Sequence, residues 1–302
     1  MAQRIFIAGQ HGQVAQALGR AYKLRSDNVA TVGRSSISVT NASDLLSAVM
    51  AFNPGFVINA AGYTAVDKAE DDKEAAFAVN RDGAAFVAAA AKAAEVPVIH
   101  LSTDYVFDGR KQAPYRETDP TNPINVYGES KLAGEIAVAS CSSNYVILRT
   151  SWVCSPIGHN FVKTMLRLAR DRDEIAVVDD QWGCPTFAAD LATVIISIGD
   201  KLASADDRSR FYGIYHASGA GETTWCRFAH EIMAQSAAKG GPACRVRAIA
   251  SSEYPTRAKR PAYSCLDCSK IKRVFGMSPP RWQASLEAGL DVLIDRTAET
   301  SI

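Results

Sequence analysis

The chain has 302 residues, of which 47% are hydrophobic and 22% are charged, and its formal net charge is +1. This apolar fraction excludes a mainly disordered chain, and seven cysteines in that length exclude a disulfide-dense module. The balanced charge provides no general attraction for nucleic acid or for an anionic membrane. We expect a soluble, cytoplasmic protein with no signal peptide and no membrane span.

Short apolar runs alternate with helical segments through the first half of the chain. Strands are expected at 5–8, 29–32, 56–59, 98–101 and 145–148, and helices at 12–24, 45–52, 73–94 and 126–139. Short strands without polar alternation are typical of a parallel sheet, whose neighbouring strands need right-handed helical crossovers. The pattern therefore predicts the α/β class, with a doubly wound, Rossmann-like parallel sheet.

The second half of the chain is less regular. Helices are expected at 161–171, 188–202 and 223–238, strands at 175–178 and 214–216, and two last helices near Ile271 and Trp282. Because single cores stop growing at roughly 250–300 residues, we predict two domains. Residues 1–152 would form the Rossmann domain, and residues 153–302 mainly a smaller mixed α/β cap that binds substrate, part of which returns to the main sheet.

A glycine turn follows the first predicted strand, in Gly9-Gln-His-Gly-Gln-Val-Ala15. Gly9 permits a turn that a Cβ would obstruct, Gly12 lets the backbone approach a pyrophosphate, and Ala15 lets the helix lie against the strand. The helix N-terminus then offers free N–H groups to the phosphates. The pattern alone is weak, so the alternative is a purely structural turn. The place of the glycine turn in the first βαβ unit favours a dinucleotide site.

The end of the second predicted strand favours NADPH over NADH, although NADH stays possible. An NAD site usually places an acidic residue there. No Asp or Glu lies between Val29 and Ala42, and Gly33-Arg34-Ser-Ser36 occupies the position instead. A guanidinium suits a 2′-phosphate because it makes charge-assisted contacts with phosphate oxygens. The alternative interpretation of Arg34 is a solvated surface arginine.

A tyrosine and a lysine occur one helical turn apart, at Tyr127 and Lys131. The ammonium, together with an oxidised nicotinamide, would stabilise the phenolate and move its pKa toward neutrality. A single Y-x-x-x-K pattern also occurs by chance. Thr103 supports a functional site, because it stands at the end of the fourth predicted strand, where a doubly wound sheet has its ligand crevice. Its hydroxyl could polarise a substrate carbonyl. Asp104 either tunes the proton chemistry or caps the loop.

Beyond these residues, the chain resembles the extended short-chain dehydrogenases/reductases, and within them the dTDP-4-dehydrorhamnose reductase family. The resemblance covers nearly the whole chain. It lies in the segments Asn59–Glu70, Leu101–Phe107, Asn125–Glu135, Arg149–Trp152, Asn160–Phe161, Asp180–Thr186 and Arg260–Pro261. The last four segments fall outside the generic dinucleotide fold, so they point to this particular family.

The resemblance implies a role for each matching residue. Tyr127 would donate a proton, Lys131 would assist it, Thr103 would polarise the ketone, and Asp104 and Trp152 would contact the sugar. Implied cofactor contacts are Gly9, Gly12, Gln13, Val14, Arg34, Ser38, Val39, Gly62, Tyr63 and Thr64, together with Tyr127 and Lys131. The implied reaction is the NADPH-dependent reduction of the 4-keto group of a dTDP-linked 6-deoxy sugar.

The sequence also departs from the family pattern. Some members dimerise through a magnesium ion held by glutamates, but Ala17, Ala189 and Val292 stand at the positions we align with those glutamates. None of these side chains can ligate a hard cation, so we expect no metal there and a monomer. Ser38 replaces an acid that often meets adenine, which leaves the adenine contact open.

Several weaker signals are interpreted as structural. Cys265-Leu-Asp-Cys268 has neither the second ligand pair of a zinc site nor a thioredoxin-like context, and His216 is expected to be a packed residue. The basic run Arg257-Ala-Lys-Arg260 is either a solvated face or a contact for the substrate diphosphate.

Two other functions remain open from the sequence alone. One is a reductase of another nucleotide sugar. The other is a non-catalytic, NADP-binding regulatory subunit similar to the β subunit of methionine adenosyltransferase, against which the intact set of Thr103, Tyr127 and Lys131 argues.

Overall fold

The computed structural model describes residues 3–277 and 279–299. Its strands are β1 Arg4–Ala8, β2 Asn28–Val32, β3 Phe56–Asn59, β4 Val98–Thr103, β5 Tyr145–Thr150, β6 Val153–Cys154, β7 Glu174–Val178, β8 Trp182–Gly183, β9 Thr186–Phe187, β10 Gly213–His216, β11 Thr223–Thr224 and β12 Arg245–Ile249. Its α-helices are α1 Gln13–Leu24, α2 Ala42–Phe52, α3 Val66–Ala69, α4 Lys73–Phe77, α5 Gly83–Ala93, α6 Val126–Cys141, α7 Phe161–Asp171, α8 Ala188–Ser204, α9 Trp225–Ala238, α10 Ser269–Phe275 and α11 Trp282–Glu299.

Six strands form one parallel sheet in the order β2-β1-β3-β4-β5-β10. The side chains of β1 alternate between its two faces, as the pleat requires. Ile5 and Ile7 pack with α1 and α8 on one face, whereas Phe6 and Ala8 pack with α2 and α5 on the other. Helices thus cover both faces, which confirms the predicted doubly wound, Rossmann-like α/β fold.

The order of the strands places a crevice at one edge of this sheet. The chain passes from β1 to β2 on one side and returns to β3 on the other side of β1. Helices that leave neighbouring strands in opposite directions open a space beyond the carboxyl ends of those strands, where ligands of this architecture bind.

A second hydrophobic core lies in the C-terminal half, where β7 pairs with β12 in parallel. Helices α7, α9 and α11 pack around Phe228, Ile232 and Leu286, which are fully buried. The same half also supplies β10 and α8 to the main sheet and its core. Within the described residues, none of the helices combines the length and apolar composition that a bilayer crossing needs.

Several elements differ from the sequence predictions: helix α3 and the short strands β6, β8, β9 and β11 were not predicted, and three larger differences follow. The helix expected at 73–94 contains a π-helical turn, Ala78–Asp82, between α4 and α5. The helix expected from Thr223 begins at Trp225, because the Thr224 hydroxyl accepts a hydrogen bond from the Arg227 N–H and so caps it. Strand β12 was not predicted, because most of its side chains remain accessible at the edge of its two-stranded sheet and two of them are arginines.

We expect Gly134→Ala to destabilise the protein by about 1–3 kcal/mol through overpacking. A Cβ on Gly134, within α6, would stand 2.1 Å from the backbone oxygen of Asn80. The matched control is Gly19→Ala within α1, where a Cβ meets nothing within 4 Å; there we expect a gain of about 0.5–1 kcal/mol. Urea unfolding of both variants measures the difference, and an equal effect of the two would contradict the close packing of α6 on Asn80.

Candidate active site

A cleft of about 1700 Å³ lies beyond the carboxyl ends of the main-sheet strands. Every site residue predicted from the sequence lines it, from the glycine turn to Trp152. Pockets for a single small ligand usually measure about 300–1,000 Å³, so this cleft has room for a dinucleotide and a second ligand together.

The glycine turn has the geometry that its sequence predicts. Gly9 has φ +116°, and a Cβ there would stand 2.8 Å from the Ala60 carbonyl carbon. Gly12 precedes α1 without any side-chain cap, and a Cβ on it would meet only the Ala60 oxygen, at 3.8 Å. The first N–H groups of α1 are therefore accessible to an anion.

The side chain of Gln13 crosses the cleft to the C-terminal half of the chain. Its Oε1 accepts hydrogen bonds from Ser155 Oγ and Asn160 Nδ2, both at 2.9 Å. Asn160 also caps α7 by accepting from the Lys163 N–H at 3.1 Å. The turn expected to hold phosphates is thus attached to the start of a helix in the cap core.

Arg34 is exposed at the rim of the cleft, directly after β2. Gly33 brings the backbone so close to Gln10 that a Cβ would stand 2.7 Å from the Gln10 Cβ. The Ser35 hydroxyl donates to Gln10 Oε1 at 3.0 Å and lies 3.4 Å from His11 Nε2. The Ser35 hydroxyl and the His11 imidazole therefore lie together on the segments that flank this rim, directly beside Arg34 in the chain.

Two side chains fix the start of α6 and with it Tyr127. Asn125 Oδ1 caps the helix by accepting from the Gly128 N–H at 2.8 Å. Glu70 Oε1 accepts from the Val126 N–H at 2.9 Å. Glu70 ends one of the family motifs, but this role could not be predicted because it depends on an approach between distant segments of the chain.

Burial raises the pKa of Tyr127 to about 12, and Asp104 acts in the same direction, while the Thr103 hydroxyl opposes them. The ring of Tyr105 contacts that of Tyr127 edge-on, with centroids 5.8 Å apart. The lower pKa expected for Tyr127 requires an oxidised nicotinamide as well as Lys131, so it stays a prediction. The Lys131 ammonium donates to the Leu101 carbonyl at 2.5 Å.

The residues at the end of β4 form a small buried network. Thr103 Oγ1 donates to Asp104 Oδ1 at 3.0 Å and accepts from the Tyr105 N–H at 3.2 Å. Asp104 is 2% exposed, and burial raises the pKa of its carboxyl to about 7 against the effects of Ser264 and Thr103. Asp104 Oδ2 has no hydrogen-bond partner among the described residues, so this carboxyl can change its protonation near neutral pH.

Aromatic side chains form part of the wall of the cleft. Trp152 has φ +46°, a conformation that is costly for a large residue. Its ring stacks on Trp225 with centroids 3.4 Å apart, and Phe161 lies against Trp225 at 4.6 Å. Gly183 leaves room for the Trp152 indole, since a Cβ there would come within 2.3 Å of it. The contribution of Trp225 to the cleft could not be predicted from the sequence, because Trp225 lies in none of the recognised motifs.

The basic run at 257–260 pairs with acids beside the cleft. Arg260 Nη2 lies 2.5 Å from Asp67 Oδ2, and Arg257 forms an ion pair with Asp71. Arg260 is 19% exposed and also lines the cleft. The interpretation of the run as a solvated face is therefore wrong for Arg260.

The two cysteines of the C-x-x-C pattern lie apart from this cleft. Cys265 is fully buried, and Cys268 Sγ lies 3.5 Å from Ser218 Oγ. Among the described residues, no group of three or more His, Cys, Asp or Glu side chains is placed to hold a metal ion. His216 is fully buried, with Nδ1 3.0 Å from the Tyr115 oxygen, as expected for a packed residue.

The parallel sheet, the open glycine turn and the Thr103–Tyr127–Lys131 group define a Rossmann-fold reductase of the extended short-chain type. Residues 3–294 match the family model described as the RmlD substrate binding domain. The chain belongs to the family of dTDP-4-dehydrorhamnose reductases.

Three relatives illustrate this membership. The dTDP-4-dehydrorhamnose reductase of Sinorhizobium fredii is 47% identical over 282 residues, which cover 93% of this chain and 95% of the relative. A crystal structure of the Clostridium acetobutylicum reductase has a TM-score of 0.89 at 34% identity, covering 96% of this chain and 99% of the other. The Bacillus anthracis reductase, solved in complex with NADP, has a TM-score of 0.87 at 36% identity and the same coverage.

We expect Asp104→Asn to become increasingly stable relative to the unmodified protein as the pH rises from 5 to 8. The pKa of Asp104 is raised from 3.8 to about 7, so between these values the folded chain keeps a proton that the unfolded chain has lost. The stability of the unmodified protein thus falls as the pH rises, by about 3 kcal/mol between pH 5 and 8, since about two units of the shift lie in that range at 1.36 kcal/mol per unit. Urea unfolding at both pH values tests this; a constant difference between variant and unmodified protein would contradict the raised pKa.

Proposed function

We propose that this chain catalyses the NADPH-dependent reduction of dTDP-4-dehydro-L-rhamnose to dTDP-L-rhamnose. The observation that carries the proposal is the convergence of Tyr127, Lys131 and Thr103 in one cleft with an open dinucleotide turn. Membership of the reductase family and the NADP-bound relative support the choice of substrate and cofactor.

The residues of the cleft fit NADPH. The uncapped N-terminus of α1 with Gly12 would hold the diphosphate, and the exposed Arg34 would meet the 2′-phosphate. Ser38, Val39, Gly62, Tyr63 and Thr64 line the same cleft and would provide further contacts to the cofactor. When bound, the cofactor supplies the hydride that reduces the ketone.

The protein's own part in the reaction is to polarise the ketone and to deliver a proton. A phenol with a pKa of about 12 is protonated at neutral pH, and this is the form that a proton donor to a developing alkoxide must have. The Thr103 hydroxyl and the Lys131 ammonium stabilise the negative charge that develops on the oxygen. Trp152 and Asp104 stand where the sugar would lie.

We expect Tyr127→Phe to lower kcat by about 10²–10⁴-fold, because general acid catalysis contributes that much. The binding of NADPH, followed by its fluorescence, should remain because the ring is kept. The matched control is Tyr145→Phe at the opposite end of the sheet, where β5 begins.

Unchanged turnover in Tyr127→Phe would refute the proposed mechanism. NADPH binding without turnover of any keto sugar by the unmodified protein would instead favour a regulatory subunit. Comparing thymidine with uridine and guanosine diphosphate sugars separates this function from the reduction of another nucleotide sugar.

Arg34→Asp should weaken NADPH binding by about tenfold to a hundredfold, because a charge-assisted contact with the 2′-phosphate is replaced by repulsion. NADH lacks this phosphate, so its dissociation constant should change little. Calorimetric titration of both cofactors measures the two constants, with Arg20→Asp on the exposed part of α1 as the control. Equal or tighter binding of NADH by the unmodified protein would overturn the assignment.

We further propose that the chain is a monomer that needs no bridging magnesium and that works in a reducing compartment such as the cytoplasm. Ala17, Ala189 and Val292 offer no oxygen ligands, and the seven cysteines are free thiols. X-ray scattering with magnesium and with EDTA should give the same monomeric mass. A dimer that forms only with magnesium would show that another set of residues holds the ion.

A further inference from the structure

The buried charged and imidazole side chains of the described residues gather in one region of the fold. They are His100, Asp104, Lys131, Glu135, Arg149 and His216. All lie on or directly after β4, β5 and β10, or on the facing helix α6. Glu135 and Arg149 are each 3% exposed, and the mechanism above does not use them. Burying charge is costly unless the charge is paired, so this placement beside the site requires an explanation.

Glu135 joins three elements of the fold. Arg149 on β5 binds its carboxylate with two parallel hydrogen bonds, Nε to Oε1 at 2.9 Å and Nη2 to Oε2 at 2.7 Å. Ser102 on β4 donates its hydroxyl to the same Oε1 at 2.5 Å. Ser102 and Arg149 are also direct partners in the β4–β5 register. The pair therefore fixes α6, β4 and β5 relative to one another at one point.

In the chain, Ser102 lies between two residues that contact side chains of the reaction centre. The residue before Ser102 is Leu101, whose carbonyl accepts the hydrogen bond from Lys131 at 2.5 Å. The residue after it is Thr103, whose hydroxyl interacts with Tyr127. A carboxylate that holds the Ser102 side chain thus restrains the backbone on which both groups depend.

The pair also sets the charge around Lys131. The ionisable groups around Lys131 are His100 on β4 and Asp104 directly after it, together with Tyr127 and Glu135 on its own helix. Arg149 on β5 is connected to Lys131 through Glu135. Burial lowers the pKa of Lys131 to about 8, and Glu135 opposes this decrease. His100 is neutral, because burial and the Lys131 charge place its pKa well below the usual value. If Glu135 lost its charge, Lys131 would lose this anion, and Arg149 would remain as a buried cation without its partner, one ion pair away from Lys131.

We propose that the Glu135–Arg149 pair is a positioning element of the reduction site, which holds the Leu101–Thr103 strand end and provides the anion that keeps Lys131 cationic. Its catalytic consequence rests on the proposed function, whereas its effect on Lys131 does not. Neither Glu135 nor Arg149 is among the residues that line the cleft, so each acts through Ser102 or Lys131.

The test compares Glu135→Gln with the double variant Glu135→Gln/Arg149→Met. The first leaves a buried cation, and the second removes both charges. The pKa of Lys131 is read from the NMR titration of lysines carrying ¹³C at Cε, with Lys131→Met to assign the signal. We expect a decrease of about one unit in Glu135→Gln, since a nearby charge shifts a pKa by 1–3 units, and a return toward the unmodified value in the double variant.

Kinetics provide the second readout. The alkaline limb of the kcat–pH profile should move to lower pH in Glu135→Gln by the same amount as the Lys131 pKa, and return in the double variant. Ser102→Ala removes the hydrogen bond without a change of charge, so it should lower kcat and leave the limb in place. A merely structural role would not separate the variants in this way.

Two results would overturn the proposal: a Lys131 pKa that is unchanged in a folded Glu135→Gln variant, or one that is lowered equally in the double variant. If Glu135→Gln does not fold, unmodified kcat in both the double variant and Ser102→Ala overturns it. A Lys131 pKa that shifts as expected in a protein that reduces no keto sugar would refute the proposed function and leave the electrostatic role of the pair supported.

Discussion

The hydrogen bond from the Lys131 ammonium to the Leu101 carbonyl joins the helix of the reaction centre to the strand beside it. A buried ammonium needs such an acceptor, because an unpaired charge in a protein interior is strongly unfavourable. The contact fixes α6 over the end of β4, so the phenol one turn earlier on α6 meets the hydroxyl of Thr103. The caps by Asn125 and Glu70 then determine where that helix begins.

Much of this arrangement follows from local sequence. Strands β3 and β4 are buried on both faces and begin with apolar runs, which is why their positions and the parallel sheet could be predicted. The glycine turn was recognisable because Gly9 must adopt a conformation that other residues avoid. The cleft residues lie at strand ends, and a doubly wound topology brings strand ends together.

Other features depended on contacts that no local pattern encodes. The π-turn at Ala78–Asp82 places Asn80 against Gly134 of α6, a match between two helices distant in sequence. Trp225 joins the cleft wall only because α9 packs beside Trp152. The burial that raises the pKa of Tyr127 and the direction of the Lys131 side chain could not be predicted, because both are properties of the folded chain.

The ion pair between Asp67 and Arg260 connects two segments that would serve different ligands. Asp67 follows the loop of Gly62 to Thr64, which we propose to contact the cofactor, and Arg260 belongs to the basic run that could contact the substrate diphosphate. A ligand that orders one segment lowers the entropic cost of ordering the other. Thermodynamic reciprocity then requires that each ligand tighten the binding of its companion by the same factor, so occupancy of the two halves of the cleft would be cooperative.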